Sequence, residues 1–138
     1  MKNRTFATLG LLALLATASA FGQQRMRIDI PFEFSTGTTT MPAGQYTVTQ
    51  TLQSGMTNLA CYACKVDVRF LTHQVGSYSA NNESSKLVFN KYGDKYFLAS
   101  VWSANGVGGA LPTSKTEHEA VISASLAPTS QVVLVARR

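Results

Sequence analysis

The segment Lys86–Trp102, Lys-Leu-Val-Phe-Asn-Lys-Tyr-Gly-Asp-Lys-Tyr-Phe-Leu-Ala-Ser-Val-Trp, constrains this chain more than any other stretch. Two apolar, aromatic-rich runs meet at Gly93-Asp94. That pair suits a two-residue reversal, because glycine supplies the positive φ that a hairpin turn needs. Counting outward pairs Tyr92 with Lys95, Lys91 with Tyr96, Asn90 with Phe97, Phe89 with Leu98, Val88 with Ala99 and Leu87 with Ser100. Successive side chains of a strand point to opposite faces. Leu87, Phe89, Tyr96 and Leu98 are therefore predicted on one face, and Val88, Phe97, Ala99 and Val101 on the other. Both faces are apolar, so the pair is expected to be covered on both sides, or covered on one and aromatic on the other. A hairpin alone is marginal in water, so this one needs further strands beside it.

Those strands are visible upstream. Arg25–Phe34 alternates strictly, with Met26, Ile28, Ile30, Phe32 and Phe34 opposite Arg25, Arg27, Asp29, Pro31 and Glu33. This is the signature of a half-buried strand. Pro31 cannot donate to a ladder, which predicts an edge position or a bulge there. Ser35–Thr40 reads as a Gly/Thr turn. A second strand is predicted over Gln45–Leu52, with Tyr46, Val48, Gln50 and Leu52 opposed to a solvent-facing row of Thr47, Thr49 and Thr51. Gln53-Ser54-Gly55 reads as a turn and Thr57–Cys61 as a short strand. Lys65–Thr72 reads as another, with Val66, Val68 and Phe70 inward and Asp67, Arg69 and Leu71 outward, and a continuation at Gln74–Tyr78. Ala80–Ser85 reads as a polar loop that holds the formal glycosylation sequon Asn82-Glu83-Ser84.

The first residues read as a leader instead of fold. Lys2 and Arg4 precede the apolar run Phe6–Ala16, and Ala18-Ser19-Ala20 is a small-x-small cleavage site, with a second cut available after Gly22. The apolar run is short for a membrane span. Residues 1–22 are thus expected to be a signal peptide, and 23–138 a single β-rich domain in the periplasm or outside the cell. A domain of this size buries roughly two thirds of its unfolded surface and needs no metal to complete a core. The chain has 12 basic and 7 acidic residues, a net charge of +5, which falls by two once Lys2 and Arg4 leave with the leader. Apart from Arg137-Arg138 the cations are scattered, so no nucleic-acid partner is expected.

Past the hairpin, Ser103–Pro112 carries Gly106, Gly108 and Gly109 and reads as a flexible loop. Ser114-Lys-Thr-Glu117 is a capping box, in which hydroxyl and carboxylate each satisfy a backbone donor. It predicts a helix over Lys115–Ala124. Pro128 ends that region, and Gln131–Ala136 reads as a last strand. The fold expected is mostly β: a small antiparallel sandwich or partly open barrel of about seven to eight strands with one short C-terminal helix.

The motifs Ile30-Pro-Phe-Glu-Phe34, Met41-Pro-Ala-Gly-Gln-Tyr-Thr-Val48, Leu87-Val-Phe-Asn-Lys-Tyr-Gly93, Tyr96-Phe-Leu-Ala-Ser-Val-Trp102 and Ser114-Lys-Thr-Glu117 together resemble a family of small, signal-peptide-bearing, β-rich proteins exported by Gram-negative soil bacteria. The likeness spans about Met26–Glu119. It implies export and a β-rich fold, and brings no activity, cofactor or site residue with it. Met41 stands where that pattern usually has leucine, and Cys61, Cys64 and the tail after Ala120 are not features of it.

Chemistry-bearing patterns are few. Cys61-Tyr-Ala-Cys64 holds both cysteines of the chain. In an exported protein the pair is expected to form a disulfide across a turn. The alternative is a thiol–disulfide exchange site, whose usual setting of a strand feeding a helix is missing. His73 and His118 are isolated, so no metal is expected. There is no Gly-x-Ser-x-Gly, no Ser-x-x-Lys and no phosphate loop. No catalytic residue and no cofactor is therefore assigned, and the chain is expected not to be an enzyme. Tyr92, Tyr96, Phe97 and Trp102 are candidate aromatics for a ligand groove, with core packing as the competing fate. The function expected is a non-catalytic binding or structural role in the cell envelope, with an envelope protein or a small apolar ligand as partner. The alternatives are a small-molecule or lipid carrier with an aromatic-lined pocket, and a periplasmic thiol–disulfide protein.

Overall fold

The computed structural model describes residues 23–51, 54–76, 84–124 and 130–136. The expected leader, Leu52 and Gln53, the sequon's Asn82 and Glu83 and the terminal arginines lie outside these residues. In chain order the elements are β1 (Gln23–Ile30), β2 (Phe34–Thr36), β3 (Thr39–Met41), β4 (Gly44–Thr51), β5 (Met56–Cys61), β6 (Val66–Leu71), β7 (His73–Val75), β8 (Lys86–Tyr92), β9 (Lys95–Trp102), β10 (Gly108–Ala110), α1 (Lys115–Ala124) and β11 (Ser130–Val135).

Two sheets share one core. The first is a four-stranded antiparallel sheet in the order β1-β4-β5-β6. Its period-two alternation turns Met26, Ile28, Ile30, Tyr46, Val48, Leu59 and Cys61 inward, with Val66, Val68 and Phe70 half-buried along the edge strand β6. The second sheet runs β11-β8-β9-β10-β7, with the β2–β3 hairpin attached to β9 by one parallel bridge, Ser35 to Phe97. Leu87, Phe89, Leu98 and Val101 face the first sheet from this side, flanked by Val132 and Leu134. Each fully buried aliphatic or aromatic side chain contributes on the order of 1.5–3 kcal/mol gross. This is the β-rich fold with one C-terminal helix read from the sequence. It has eleven strands among the described residues, against the seven to eight expected, because β2, β3, β7 and β10 are three-residue pieces too short to show a periodicity.

Several local expectations are corrected. Arg25–Phe34 is not one strand. β1 stops at Ile30 on the sheet edge, Pro31 offers no N–H, and the chain crosses to the other sheet, where Phe34 begins β2. There Phe34 packs edge-on to Tyr46 and Phe89, at 5.4 and 5.3 Å between ring centres. The Gly/Thr turn is confined to Gly37 and Thr38, between the paired strands β2 and β3. β6 does not simply continue into the expected extension, of which residues 74–76 are described and Ser77 and Tyr78 lie outside the described residues. Thr72 ties back to the Gly55 carbonyl through its N–H (2.8 Å) and hydroxyl (2.9 Å), and β7 joins the second sheet.

The central hairpin keeps the counted register from Tyr92–Lys95 to Phe89–Leu98 and then slips. Ala99 has no partner on β8, its carbonyl accepting instead from the Leu111 N–H at 2.9 Å, so Val88 meets Ser100 and Leu87 meets Val101. A bulge of one residue reverses the faces beyond it. Val101 therefore joins Leu87 and Phe89 in the core instead of lying on the opposite side. Gly93 has φ 59° and no positive φ is found at Asp94, the pattern of a reversal with glycine first.

Ser103–Pro112 is not a flexible loop. Ser103 and Val107 close a tight turn, N to O 3.0 Å, and β10 returns alongside β9. Glycine is needed there for proximity. A Cβ on Gly108 would fall into the Trp102 ring, and one on Gly109 into Thr72 and Gln50.

Candidate ligand-binding face

The two outer sheet faces are treated differently. On the second sheet, α1 lies across the hairpin and buries Tyr92, Phe97 and Ala120 as a small separate cluster. Ser114 caps this helix, accepting from the Glu117 N–H at 3.1 Å. The reciprocal half of the expected capping box is replaced. The Glu117 carboxylate, only 6% exposed, reaches the sheet and accepts from the Asn90 side-chain amide at 3.0 Å and the Tyr92 hydroxyl at 3.1 Å. Gln131 of β11 extends the chain of bonds to Asn90. Burial first, then the nearby Glu117 charge and the hydrogen bond to it, raise the Tyr92 pKa above the ordinary tyrosine value, with Asn90 opposing. These are the interactions of an anchored helix. Burial likewise raises Tyr46, whose hydroxyl donates to the Pro42 carbonyl at 2.6 Å.

The four aromatics singled out from sequence divide. Tyr92 lies under α1, 5.8 Å from the Phe97 ring. Tyr96 is on the other side of β9, stacked on Phe32 at 3.9 Å. Trp102 sits at the far end of the strand, its indole N–H donating to Ser100 at 2.9 Å. Tyr96 and Phe97 do border one groove of about 270 Å³ at the hairpin turn, together with Phe32, Glu33, Asp94 and Lys95. The four rings do not converge on it.

Cys61 and Cys64 are joined by a disulfide, with Cα atoms 5.2 Å apart. It spans the turn between β5 and β6, and no helix follows it. Lys65 takes φ 55° to complete the reversal, and Cys61 Sγ accepts from the Cys64 N–H at 3.1 Å. The bond fixes the turn that holds Tyr62 out in solvent, 82% exposed. His73 and His118 are both exposed and lie on β7 and α1. Among the described residues, no three of His, Cys, Asp and Glu gather as metal ligands would.

The outer face of the four-stranded sheet carries a groove of about 350 Å³. Its floor is built from one aligned row. Arg25 of β1 pairs with Thr49 of β4, Thr49 with Asn58 of β5, and Asn58 with Arg69 of β6. Thr47 and Thr51 extend the floor along β4, and Met56 and Tyr62 stand at the two ends of β5. The charged groups in its lining are Arg25 and Arg69, both exposed and both cationic. Asn58 Oδ1 is shielded and has no hydrogen-bond donor. Sequence reading placed the threonines and both arginines outward. It missed that they form one site, because four strands must first be set in register. The signal available was the matched alternation of Arg25–Ile30, Thr47–Thr51 and Asp67–Leu71. No protein family, curated protein or solved structure matches this chain.

Proposed function

We propose that this chain is a non-catalytic binding domain exported to the cell envelope, and that it works through the open outer face of its four-stranded sheet. The observation that carries this reading is the asymmetry of cover. One outer sheet face is occupied by α1, while the other leaves a groove of about 350 Å³ lined by threonine, asparagine and arginine. Ligand clefts are mostly apolar with a few fixed polar groups; this polar lining instead suits a ligand rich in hydroxyl or charged groups. The leader-like residues 1–22 support the envelope as its place of work. The network around Glu117 supports a non-catalytic role, since that buried carboxylate is consumed in holding a helix.

The test is a titration of the isotopically labelled mature domain with fractionated, protein-free envelope extract, followed by amide NMR. Shifts are expected at 47–51, 56–60 and 69. Shifts confined to α1 and the hairpin, or none at all, would overturn the reading. Fractionation of the producing cell, with N-terminal sequencing of the product, tests export. The expected product starts at Phe21 or Gln23, and an uncleaved cytoplasmic chain would refute it.

A further inference from the structure

We infer that the groove on the four-stranded sheet takes an acidic oligosaccharide, a chain of sugars bearing carboxylate or sulfate groups. This rests on the binding role proposed above and names the chemistry of the ligand.

The shape comes first. β5 runs the length of the trough, six residues from Met56 to Cys61. At about 3.4 Å per residue that is roughly 20 Å. The row from Arg25 to Arg69 crosses three strand spacings, roughly 14 Å at about 4.8 Å each. The site is therefore an open trough with an arginine on either bank, suited to an elongated chain lying along the strands.

The lining then selects what that chain is made of. Thr47, Thr49 and Thr51 offer hydroxyls at every second position of β4, each able to donate and accept. Asn58 adds a side-chain amide to the floor, able to donate and accept. Tyr62 presents a ring 82% exposed at the mouth, a surface on which the C–H face of a sugar can stack. Hydroxyl-bearing rings satisfy all three features. The two arginines supply the remaining condition. Their planar forks match carboxylate and sulfate oxygens two at a time. With no carboxylate in the lining, the groove complements negative charge. Nucleic acid fits less well, because its bases require a row of stacking aromatics and the groove has only Tyr62.

The mature domain is titrated by calorimetry with four probes: an oligogalacturonate, a sulfated dextran oligomer, neutral dextran of the same length, and poly-glutamate. Wild type is compared with the R25Q/R69Q pair, whose native fold is verified by its thermal midpoint, and with T49V. Binding of one or both acidic sugars is expected, at least tenfold weaker in R25Q/R69Q, weaker in T49V, and falling with salt. Oligogalacturonate alone identifies a carboxylated ligand; both acidic sugars identify the anionic sugar in general. Equal binding of neutral dextran, unaffected by R25Q/R69Q, overturns the acidic inference and leaves the open-face reading standing. Equal binding of poly-glutamate through the same residues overturns the sugar. No binding by any probe overturns the inference, while the extract titration decides the open-face reading separately.

Discussion

The carboxylate of Glu117 on α1 accepts a hydrogen bond from the hydroxyl of Tyr92 on β8, 3.1 Å away and twenty-five positions earlier in the chain. With the bond from Asn90 it fixes α1 to the β8–β9 hairpin. Removing a buried acceptor strands its donors, at about 1–3 kcal/mol for each unsatisfied group. Glu117→Ala is expected to lower stability by about 2–3 kcal/mol. Glu117→Gln, which keeps an acceptor oxygen, is expected to lose roughly half of that. Urea midpoints at unchanged m-value give both numbers, and equal losses would mean that the helix is held by packing alone.

Val101 decides the register of the hairpin. Counted from the turn it belongs on the α1 side with Phe97; the bulge at Ala99 moves it into the core between the sheets with Leu87. It is fully buried. Val101→Ala is therefore expected to cost about 2–3 kcal/mol through lost burial and the cavity left behind. A loss under about 0.5 kcal/mol, the usual range for surface substitutions, would restore the unbulged register.

Those two residues also mark where the sequence is legible. The limits of α1 and the inner rows of β1, β4 and β6 follow from periodicity and one cap, because each depends on residues only a few positions apart. The bulge at Ala99 does not, since inserting one residue leaves the composition of the hairpin unchanged. It becomes visible only when Val101 finds its place beside Leu87. Gly108 and Gly109 read as loop for a related reason. Their role is to let the Trp102 ring and Thr72 come close, a requirement imposed by neighbours distant in sequence. Sequence spacing gives Glu117 the nearest backbone donor, whereas the fold offers it two side-chain donors on β8. The candidate groove is the extreme case. Arg25, Thr49, Asn58 and Arg69 each look like solvated surface until four strands align them.

Gly109 gives a direct test of that packing. A methyl group there would press on Thr72 and on the Gln50 amide. Gly109→Ala is expected to destabilise by about 1–3 kcal/mol, as overpacking does. Gly76, which has open space around it, is the control, and Gly76→Ala should be neutral or slightly stabilising. Thermal midpoints of the two variants measure the contrast, and a neutral Gly109→Ala would return residues 103–112 to a loose loop.

The Cys61–Cys64 bond closes a very short loop. In the chain-entropy account such a loop contributes about 2 kcal/mol or less. Thiol titration of the denatured, unreduced protein is expected to find no free thiol. Reduction should lower the urea midpoint modestly and leave the fold intact, because β5 is paired on both sides without the bond. Unfolding on reduction at ambient temperature would assign the disulfide a far larger structural share.

Tyr92 sets an alkaline limit on the fold. Its pKa is raised by burial, then by the charge of Glu117 and the bond to it. In the unfolded chain the same hydroxyl ionises near its ordinary value of roughly 10. The neutral hydroxyl is thus favoured by the native state. Its contribution to stability is complete below about pH 10 and is lost as pH rises through the higher native value. Tyr46, raised by burial alone, acts in the same direction. Tyrosinate absorbance during alkaline titration is expected to show late-ionising groups in the wild type and one fewer in Tyr92→Phe. Glu117→Gln removes the charge and should bring the Tyr92 transition down, yet keep it above the ordinary value, because burial remains. An alkaline unfolding midpoint unmoved by Tyr92→Phe would exclude Tyr92 as the group responsible and leave Tyr46 to carry the effect.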